Sequence, residues 1–538
     1  MKFIRLLLVA LVALSFLTSQ ATLSTSAKPT EVKIRGYITA LQSPTSFEIE
    51  DYRVTNDETL VLEFENQTPG LSFKKEDLRV GTLVEIRGLF DSETNELKAR
   101  KIKIDLAQFR ALKVTTVLDK KPLELRQLDG DKWGGVVAAD GRRIRIEPDT
   151  RLLFKLNKAE QKEAKKEAEK NRKQEKAKAK EEKTTAKDKA QDETAQQQQE
   201  TPAPAPAADA KAADDDDADS FDEDRTGFGP LKSLADIGPG VTMTYEGKEQ
   251  PDGTVLASTV EFVRNEKEKG EESLWKQLKV KEKPFNFAEG KPGELKVGND
   301  KYKVLPNQEV QEYVTRLGES LIPAHQKSLA ADDPQKIPFR FTVIVEKGFN
   351  AAAYPNGVVV INSGVFEVLE NEAQLAAVIG HEIAHATQEH TYRRMQKHKK
   401  KRTALMIGAL FASGMGYGGI AQIIELTVMA MVNGHGRTME NQADRVGLEY
   451  MVDAGYDPRE SPRVWKLVAK KYGNQRTNFF WSSHDAASER RSFQMVQIRN
   501  IFSELDYAKL KKNEEEYQRM AALVKDAAAK KRKVKVTT

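Results

Sequence analysis

The stretch His381-Glu382-Ile383-Ala384-His385 constrains this chain more than any other. It ends a run from residue 371 whose composition favours a helix, and helical residues four apart lie on the same face. Two imidazoles so placed can bind one zinc ion at about 2.0–2.1 Å. Glu382 can then reach a water molecule in the open coordination position. The motif therefore predicts a zinc-dependent hydrolytic site with one zinc ion per chain.

A third ligand has to come from elsewhere in the chain. Cysteine is absent, so histidines and carboxylates are the available donors. A metzincin would place glycine and histidine where this chain has Gln388 and Thr391. The other arrangement takes a glutamate from a later helix, as in thermolysin-like sites. Glu440 could bind the metal while Asp444, four residues on, accepts the second N–H of a ligating histidine. An ordinary charged helix edge stays the alternative at this point.

Several further motifs follow each other in an order that resembles a known family. N-A-A-A-x-P at 350–355 precedes a strand, then H-E-I-A-H-A-x-x-x-H, then E-N-Q-A-D-R-x-G at 440–447. Ser482-Ser483-His484 comes next, and Arg490 follows six residues later. Over roughly 308–500, the chain resembles the gluzincin metallopeptidases of the HtpX and BepA type, relatives of the CaaX prenyl endopeptidases.

The resemblance implies a role for each matching residue. The implied zinc ligands are His381, His385 and Glu440. Glu382 is the implied catalytic base, and Asp444 the implied hydrogen-bond partner of a ligand. His484 and Arg490 are expected on a loop near the metal, where they stabilise the oxyanion or cover the zinc at rest. Asp485 stands where the family usually has proline, which leaves the conformation of that loop open.

Two further predictions concern the surroundings of the motif. His390 lies near the end of the motif helix and is predicted to be structural rather than a ligand. The apolar strand before the motif helix is predicted to be an edge against which an extended peptide substrate pairs. An ordinary core strand is the alternative for that segment. Its residues are Val358, Val359, Val360, Ile361 and Asn362.

The N-terminus has the layout of a secretory signal peptide over residues 1–27. Lys2 and Arg5 precede an apolar stretch of 12 residues, and small residues suggest cleavage after Ala21 or Ala27. A retained anchor is the alternative, although a spanning helix needs about 20 apolar residues. The protein is therefore expected to be exported, to a periplasm or outside the cell.

Residues 31–265 contain a degenerate repeat of alternating apolar and polar residues between turns. Each copy, 31–110 and 111–265, is predicted to be an OB-like β-barrel of about five strands. A Lys/Glu/Ala-rich and then acidic insertion at 156–225 interrupts the second copy and is predicted to be disordered. Structural or protein-binding modules are favoured over oligonucleotide or glycan binders, because clustered exposed aromatics are lacking.

The predicted fold is α+β. A mainly helical zincin-type metallopeptidase domain with a small sheet, residues 306–505, follows the two β modules and a linker at 266–305. A charged helix and basic tail occupy 506–538. Residues 404–432 are apolar and glycine-rich, and are predicted to pack over the metal helix. Peripheral membrane contact is an alternative for this segment and for the basic C-terminus. A membrane-spanning segment is the least favoured alternative for 404–432.

These features predict a zinc-dependent endopeptidase of the cell envelope that acts on unfolded or envelope polypeptides, in protein quality control or outer-membrane biogenesis. A net charge of +5 with segregated acidic and basic runs gives no reason to expect nucleic-acid binding. Two alternatives stay open. One is a chaperone-like assembly factor with a latent zinc site, and the other is an oligonucleotide or glycan binder. The sequence leaves the oligomeric state open.

Overall fold

The computed structural model describes residues 29–66, 73–122, 124–163, 166, 227–250, 252–264, 275, 278–284, 293–396, 436–472 and 487–533. The predicted signal peptide, the segment 404–432 and most of the insertion at 156–225 therefore lie outside the described residues. The chain divides into two compact units, Met1–Gln108 and Phe109–Thr538. Within the described residues, no helix is both long and apolar enough to cross a membrane.

The first unit contains a closed five-stranded barrel in the order β1-β2-β3-β5-β4. Its interior is filled by alternate residues of each strand, such as Ile38, Val54 and Ile102, which are fully buried. This is the predicted OB-like architecture of the first module. The strands are β1 (Thr30–Ser43), β2 (Ser46–Ile49), β3 (Tyr52–Glu65), β4 (Leu83–Asp91) and β5 (Glu96–Asp105).

The second β module is an eight-stranded sheet and not a second five-stranded barrel, so that part of the prediction is wrong. Its strands are β6 (Leu112–Val117), β7 (Glu124–Asp129), β8 (Lys132–Ala139), β9 (Arg142–Ile146), β10 (Arg151–Lys155), β11 (Phe228–Pro230), β12 (Thr242–Glu249) and β13 (Val255–Val263). In the barrel, β1 pairs with both β2 and β4. Here β12 pairs with β6, while β8 pairs with β7 and β9. Two strands of this module, β6 and β8, thus make the kind of pairings that the single long strand β1 makes in the barrel, and the hairpin β7–β8 lies between them in the chain.

The ends of the charged insertion are held side by side in this module. β10 and β11 pair antiparallel, with Phe154 opposite Gly229. The backbone N–H of Leu156 donates to the carbonyl of Gly227 at 2.9 Å. The insertion therefore leaves and re-enters the sheet at neighbouring points.

The segment predicted to be a linker forms a small antiparallel sheet. Its strands are β14 (Val280–Lys283), β15 (Glu294–Val297) and β16 (Asp300–Lys303). Leu295 and Val297 are buried in a cluster with Tyr354 and Val360 of the following domain. The sequence predicts a linker with some strand character here, and alternate apolar residues in these short, charged strands attach the sheet to its neighbour.

The C-terminal half is mainly helical, as the predicted α+β class requires. The helices among its described residues are α1 (Gln308–Leu321), α2 (Ala324–Ser328), α3 (Glu372–Thr387), α4 (Arg437–Asp453), α5 (Glu460–Tyr472), α6 (Ala487–Ile501) and α7 (Glu514–Lys533). One core cluster joins α1, α3, α4, α5 and α7. Helix α7 lies where the sequence predicts a charged helix, and Tyr517, Met520 and Val524 on its apolar face are buried in that core.

A three-stranded sheet packs beside α3 in the order β17-β19-β18. The strands are β17 (Arg340–Ile344), β18 (Ala351–Ala353) and β19 (Val358–Asn362). The predicted substrate strand, Val358 to Asn362, is the central strand β19. Its backbone pairs with β17 on one side and with β18 on the other, so it offers no edge to a peptide. The edge prediction for this strand is therefore wrong.

Candidate metal centre

Helix α3 carries the H-E-x-x-H motif into the interior of the domain. Asn371 caps the helix by accepting a hydrogen bond from the backbone N–H of Gln374 at 3.0 Å. The small residues of the helix let neighbouring elements pack closely on every side, and nearly all of its side chains are buried. His381 and His385 therefore lie one turn apart in a water-poor environment.

The donor atoms of three side chains converge beside this helix. The Nε2 atoms of His381 and His385 lie 2.9 Å apart. Glu440 on α4 places Oε2 3.4 Å from His381 Nε2 and Oε1 3.6 Å from His385 Nε2. All three ligand atoms lie within 4.8 Å of one another. Two imidazoles and a carboxylate at this separation fit one metal ion that prefers nitrogen and oxygen ligands.

Two glycines bring the helices that carry these ligands into backbone contact. A Cβ atom at Gly447 would lie 2.9 Å from the backbone nitrogen of His381, and one at Gly380 would lie 3.1 Å from the carbonyl oxygen of Gly447. A side chain at either position would push α3 and α4 apart. The contact places Glu440, two turns before Gly447, opposite the two histidines.

The second nitrogen of His381 faces a charged pair. Asp444 Oδ1 lies 3.1 Å from His381 Nδ1. Arg490 donates from Nε to Asp444 Oδ2 at 2.8 Å, and its Nη1 lies 3.3 Å from Glu440 Oε2. The guanidinium stacks on the ring of Trp465, 3.8 Å from the centroid. Arg490 is thus a fully buried partner of two acidic side chains.

The carboxylates around His381 and its burial shift its pKa in opposite directions. Burial raises the pKa of Asp444, but Arg490 and His381 outweigh this effect and lower it to about 2. Burial and Arg490 lower the pKa of His381, but the carboxylates of Asp444 and Glu440 outweigh them and raise it to about 9. Asp444 is therefore ionised at neutral pH and can accept the N–H at Nδ1, so that a metal would take the place of the proton on Nε2.

His385 is held on its other side by a residue that sequence reasoning did not assign to the site. Its Nδ1 lies 2.8 Å from Nδ1 of His390, and His390 Nε2 lies 2.8 Å from Oε1 of Gln442. Helix α3 ends at Thr387, and Glu389 takes a left-handed conformation with φ 56°. This turn brings His390 back against His385. His390, five residues after His385, and Gln442, two residues after Glu440, were the available signal, but the turn at Glu389 could not be predicted from spacing.

The base candidate Glu382 lies at the edge of the sheet. Its Oε2 accepts the backbone N–H of Ala353 on β18 at 2.9 Å. Tyr354 and Asn350 make the hydrogen bonds that join this part of the chain to β19, so the N–H of Ala353 between them faces away from the sheet. A cavity beside His381 and Glu382 is lined by apolar side chains, among them Phe349, Val378, Val464 and Trp465.

The predicted site residues divide into those that the structure brings together and those that it does not. His381, Glu382, His385, Glu440, Asp444 and Arg490 lie in one buried cluster. Arg490 lies on helix α6 and not on a loop, and its oxyanion role stays a prediction. His484 and residues 404–432 lie outside the described residues.

Comparisons with known proteins agree with this geometry. Residues 308–493 match the family described as Peptidase family M48, and residues 35–103 match a domain of unknown function, DUF5666. The first match contains every described residue of the candidate site on α3 and α4, as well as Arg490. It confirms the resemblance to metallopeptidases of the HtpX and BepA type.

Curated relatives match over the same region. The chain is 32% identical over 158 residues to the beta-barrel assembly-enhancing protease of Escherichia coli strain K12, which is 28% of this chain and 31% of the relative. It is 29% identical over 168 residues to the protein of that name from Yersinia pestis, 29% of this chain and 32% of the relative. The mitochondrial metalloendopeptidase OMA1 of Saccharomyces cerevisiae is 26% identical over 219 residues, 37% of this chain and 62% of the relative. The chain thus spans about a third of the length of these bacterial relatives.

Proposed function

Because residues 308–493 form a metallopeptidase domain of family M48, we propose that the whole protein is a zinc-dependent endopeptidase. The observation that carries the proposal is the convergence of His381, His385 and Glu440, with Glu382 one residue from the first ligand. A zinc ion held there would supply an acidified water and polarise the peptide carbonyl. Two histidines and one glutamate are one of the donor sets found in catalytic zinc sites that keep an open position.

Glu382 acts as the general base. Its carboxylate takes a proton from the attacking water and passes it to the nitrogen of the leaving amine. The N–H of Ala353 holds one carboxylate oxygen at 2.9 Å and so fixes the orientation of the group. Asp444 holds His381 in place in this scheme. Arg490 holds Glu440 and Asp444 and is also proposed to stabilise the oxyanion.

The substrate pairs with the edge strand β18. Among the described strands, β18 pairs only with β19, and its other edge faces the side on which Glu382 lies. An extended peptide added at this edge would run past Glu382, and main-chain hydrogen bonds would bind it with little dependence on sequence. The adjacent cavity, with Trp465 and Val464 in its wall, favours an apolar substrate side chain next to the cleaved bond.

The setting that we propose is the cell envelope. The N-terminal pattern predicts export, and two of the relatives are named for enhancing β-barrel assembly. We therefore propose unfolded or envelope polypeptides as substrates, with a role in quality control or outer-membrane biogenesis. The closed barrel of the first module is proposed to bind other proteins.

The test is the substitution Glu382→Gln in the full chain. We expect it to abolish cleavage of unfolded casein while zinc content stays at one ion per chain, because the three ligands are intact. Glu372→Gln is the matched control: the same change on the same helix, at a buried residue whose oxygen accepts from Tyr456. It should keep wild-type activity. Cleavage by zinc-loaded Glu382→Gln protein at the wild-type rate would rule out the proposed mechanism.

A further inference from the structure

We infer that the second β module takes part in the metal centre: Asp140, acting through Gln442 and His390, fixes which nitrogen of His385 carries the proton. This inference rests on the proposed zinc site. Asp140, Gln442 and His390 are positioning residues, since they touch neither substrate nor reacting atoms. Asp140 lies far outside residues 308–493, so the matched domain does not contain all of its own site.

The chain of contacts begins in the turn between β8 and β9. The side chain of Asp140 is fully buried there. Both of its carboxylate oxygens accept from Nη2 of Arg445 at 2.8 Å, and Oδ2 also accepts from Tyr245 at 2.7 Å. Burial would raise the pKa of Asp140, but Arg445 and Arg142 outweigh this effect and lower it. Asp140 is therefore a charged group that can only accept hydrogen bonds.

Gln442 on α4 has one orientation that satisfies its neighbours. One end of its amide lies 2.7 Å from Asp140 Oδ1 and 3.1 Å from the backbone carbonyl oxygen of Thr115. Both neighbours are acceptors, so the NH2 group must point at them. The amide oxygen is then left to face Nε2 of His390 at 2.8 Å, and that nitrogen must carry a proton.

The protonation of His390 in turn determines which nitrogen of His385 carries a proton. A neutral His390 with its proton on Nε2 presents a lone pair at Nδ1. Nδ1 of His385, 2.8 Å away, must therefore be the donor. With its proton on Nδ1, His385 presents the lone pair of Nε2 to the point where His381 and Glu440 also present theirs.

The reverse arrangement is excluded by the two fixed acceptors. If Gln442 were flipped, its oxygen would face Asp140 and the carbonyl of Thr115, and three acceptors would meet in a buried space. His385 would then carry its proton on Nε2 and could not bind a metal through that atom. The β module thus selects the binding-competent form of a ligand that it does not contact.

The first experiment reads the protons directly. The full chain has only seven histidines, so selective 15N-histidine labelling gives few signals. Two-bond 15N–1H correlation spectra of the zinc-loaded protein should show His385 protonated on Nδ1 and His390 protonated on Nε2. A proton on Nδ1 of His390 would overturn the inference. Neither result depends on whether the protein cleaves a substrate, so failure of the proteolysis assay and failure of this inference are distinguishable.

The second experiment compares two buried glutamines that join the same turn to the same helix. Gln442 is 4% exposed and Gln497 is 5% exposed. Gln497 donates to the carbonyls of Gly141 and Arg445, but none of its described contacts is to His390. Substitution by methionine keeps the length of each side chain and removes its hydrogen bonds.

Gln442→Met should weaken zinc binding about 10- to 100-fold, as loss of a partner to a metal-ligating histidine does elsewhere. The zinc affinity of Gln497→Met should stay within about twofold of wild type. Both affinities are measured by competition with a chromophoric chelator. Equal losses in both variants would mean that the module merely supports the fold, and would overturn the inference. The spectra of the wild-type protein decide the question even if Gln442→Met does not fold.

Discussion

The ion pair between Asp140 and Arg445 should be among the strongest links between the second β module and the metal-binding helix α4. Asp140→Ala removes a carboxylate that accepts from Arg445, Gln442, Tyr245 and Arg142. In that variant Arg142 would still have a carboxylate partner, because Glu249 Oε2 lies 3.5 Å from its Nη2. The guanidinium of Arg445, whose side chain is only 5% exposed, would lose its carboxylate partner.

Breaking a buried pair from one side costs about 3–5 kcal/mol, because the remaining charge is desolvated without compensation. For a unit that runs from Phe109 to Thr538, we expect a melting temperature lower by about 3–6 °C. Differential scanning calorimetry of the full chain measures both quantities. Lys120→Ala is the control, since Lys120 and Asp453 form a pair at 2.8 Å across the same interface with side chains 54% and 48% exposed. That variant should lose less than about 1 kcal/mol.

The double variant Asp140→Ala/Arg445→Met sharpens the test. It removes both charges, so it should be more stable than Asp140→Ala alone. The reasoning fails if Asp140→Ala is no more destabilising than Lys120→Ala, or if the double variant simply adds the losses of its two single changes. Either outcome would mean that the buried charge of Arg445 finds adequate solvation without Asp140.

Two further predictions concern the same half of the molecule. Gly447→Ala places a Cβ 2.9 Å from the backbone nitrogen of His381, so α3 and α4 must separate. We expect zinc affinity, measured by chelator competition, to fall at least tenfold. Unchanged affinity would show that the helices adjust without moving Glu440. Burial outweighs the hydrogen bond from Tyr450 and raises the pKa of Asp119 from 3.8 to about 7, so the folded state favours the protonated acid. Its contribution to the free energy of unfolding therefore falls as pH rises from about 4 to 7, by no more than about 4 kcal/mol. Measured by urea unfolding, the stability of Asp119→Asn relative to wild type should increase across that range and stay constant above it. A difference in stability that is independent of pH would contradict the shift.

The local part of the site was predictable because it depends on helical spacing. His381 and His385 are four residues apart, and a helix places both imidazoles on the same face. Glu440 and Asp444 repeat that spacing on α4. The five-stranded barrel was predictable for a similar reason, since alternation along each strand fixes which residues fill it.

What the sequence hid is the pairing of elements that are distant along the chain. The apolar run Val358 to Asn362 suits an edge strand and a central strand equally, and strand order decides between them. Asp140 in a short turn has no local pattern that connects it to Arg445, which lies 305 residues away. The turn at Glu389 depends on one left-handed residue, and that residue type gives no signal for it.

The pairing of β10 with β11 gives the protein a natural point for engineering. The chain leaves the sheet at Leu156 and returns at Gly227, where the two backbones share a hydrogen bond of 2.9 Å. When the ends of a segment are already fixed together, doubling its length adds only about 0.6 kcal/mol of closure entropy. An affinity tag or fluorescent reporter could therefore be exchanged for residues between them while the sheet, and the metal centre that it supports, keep their present pairing.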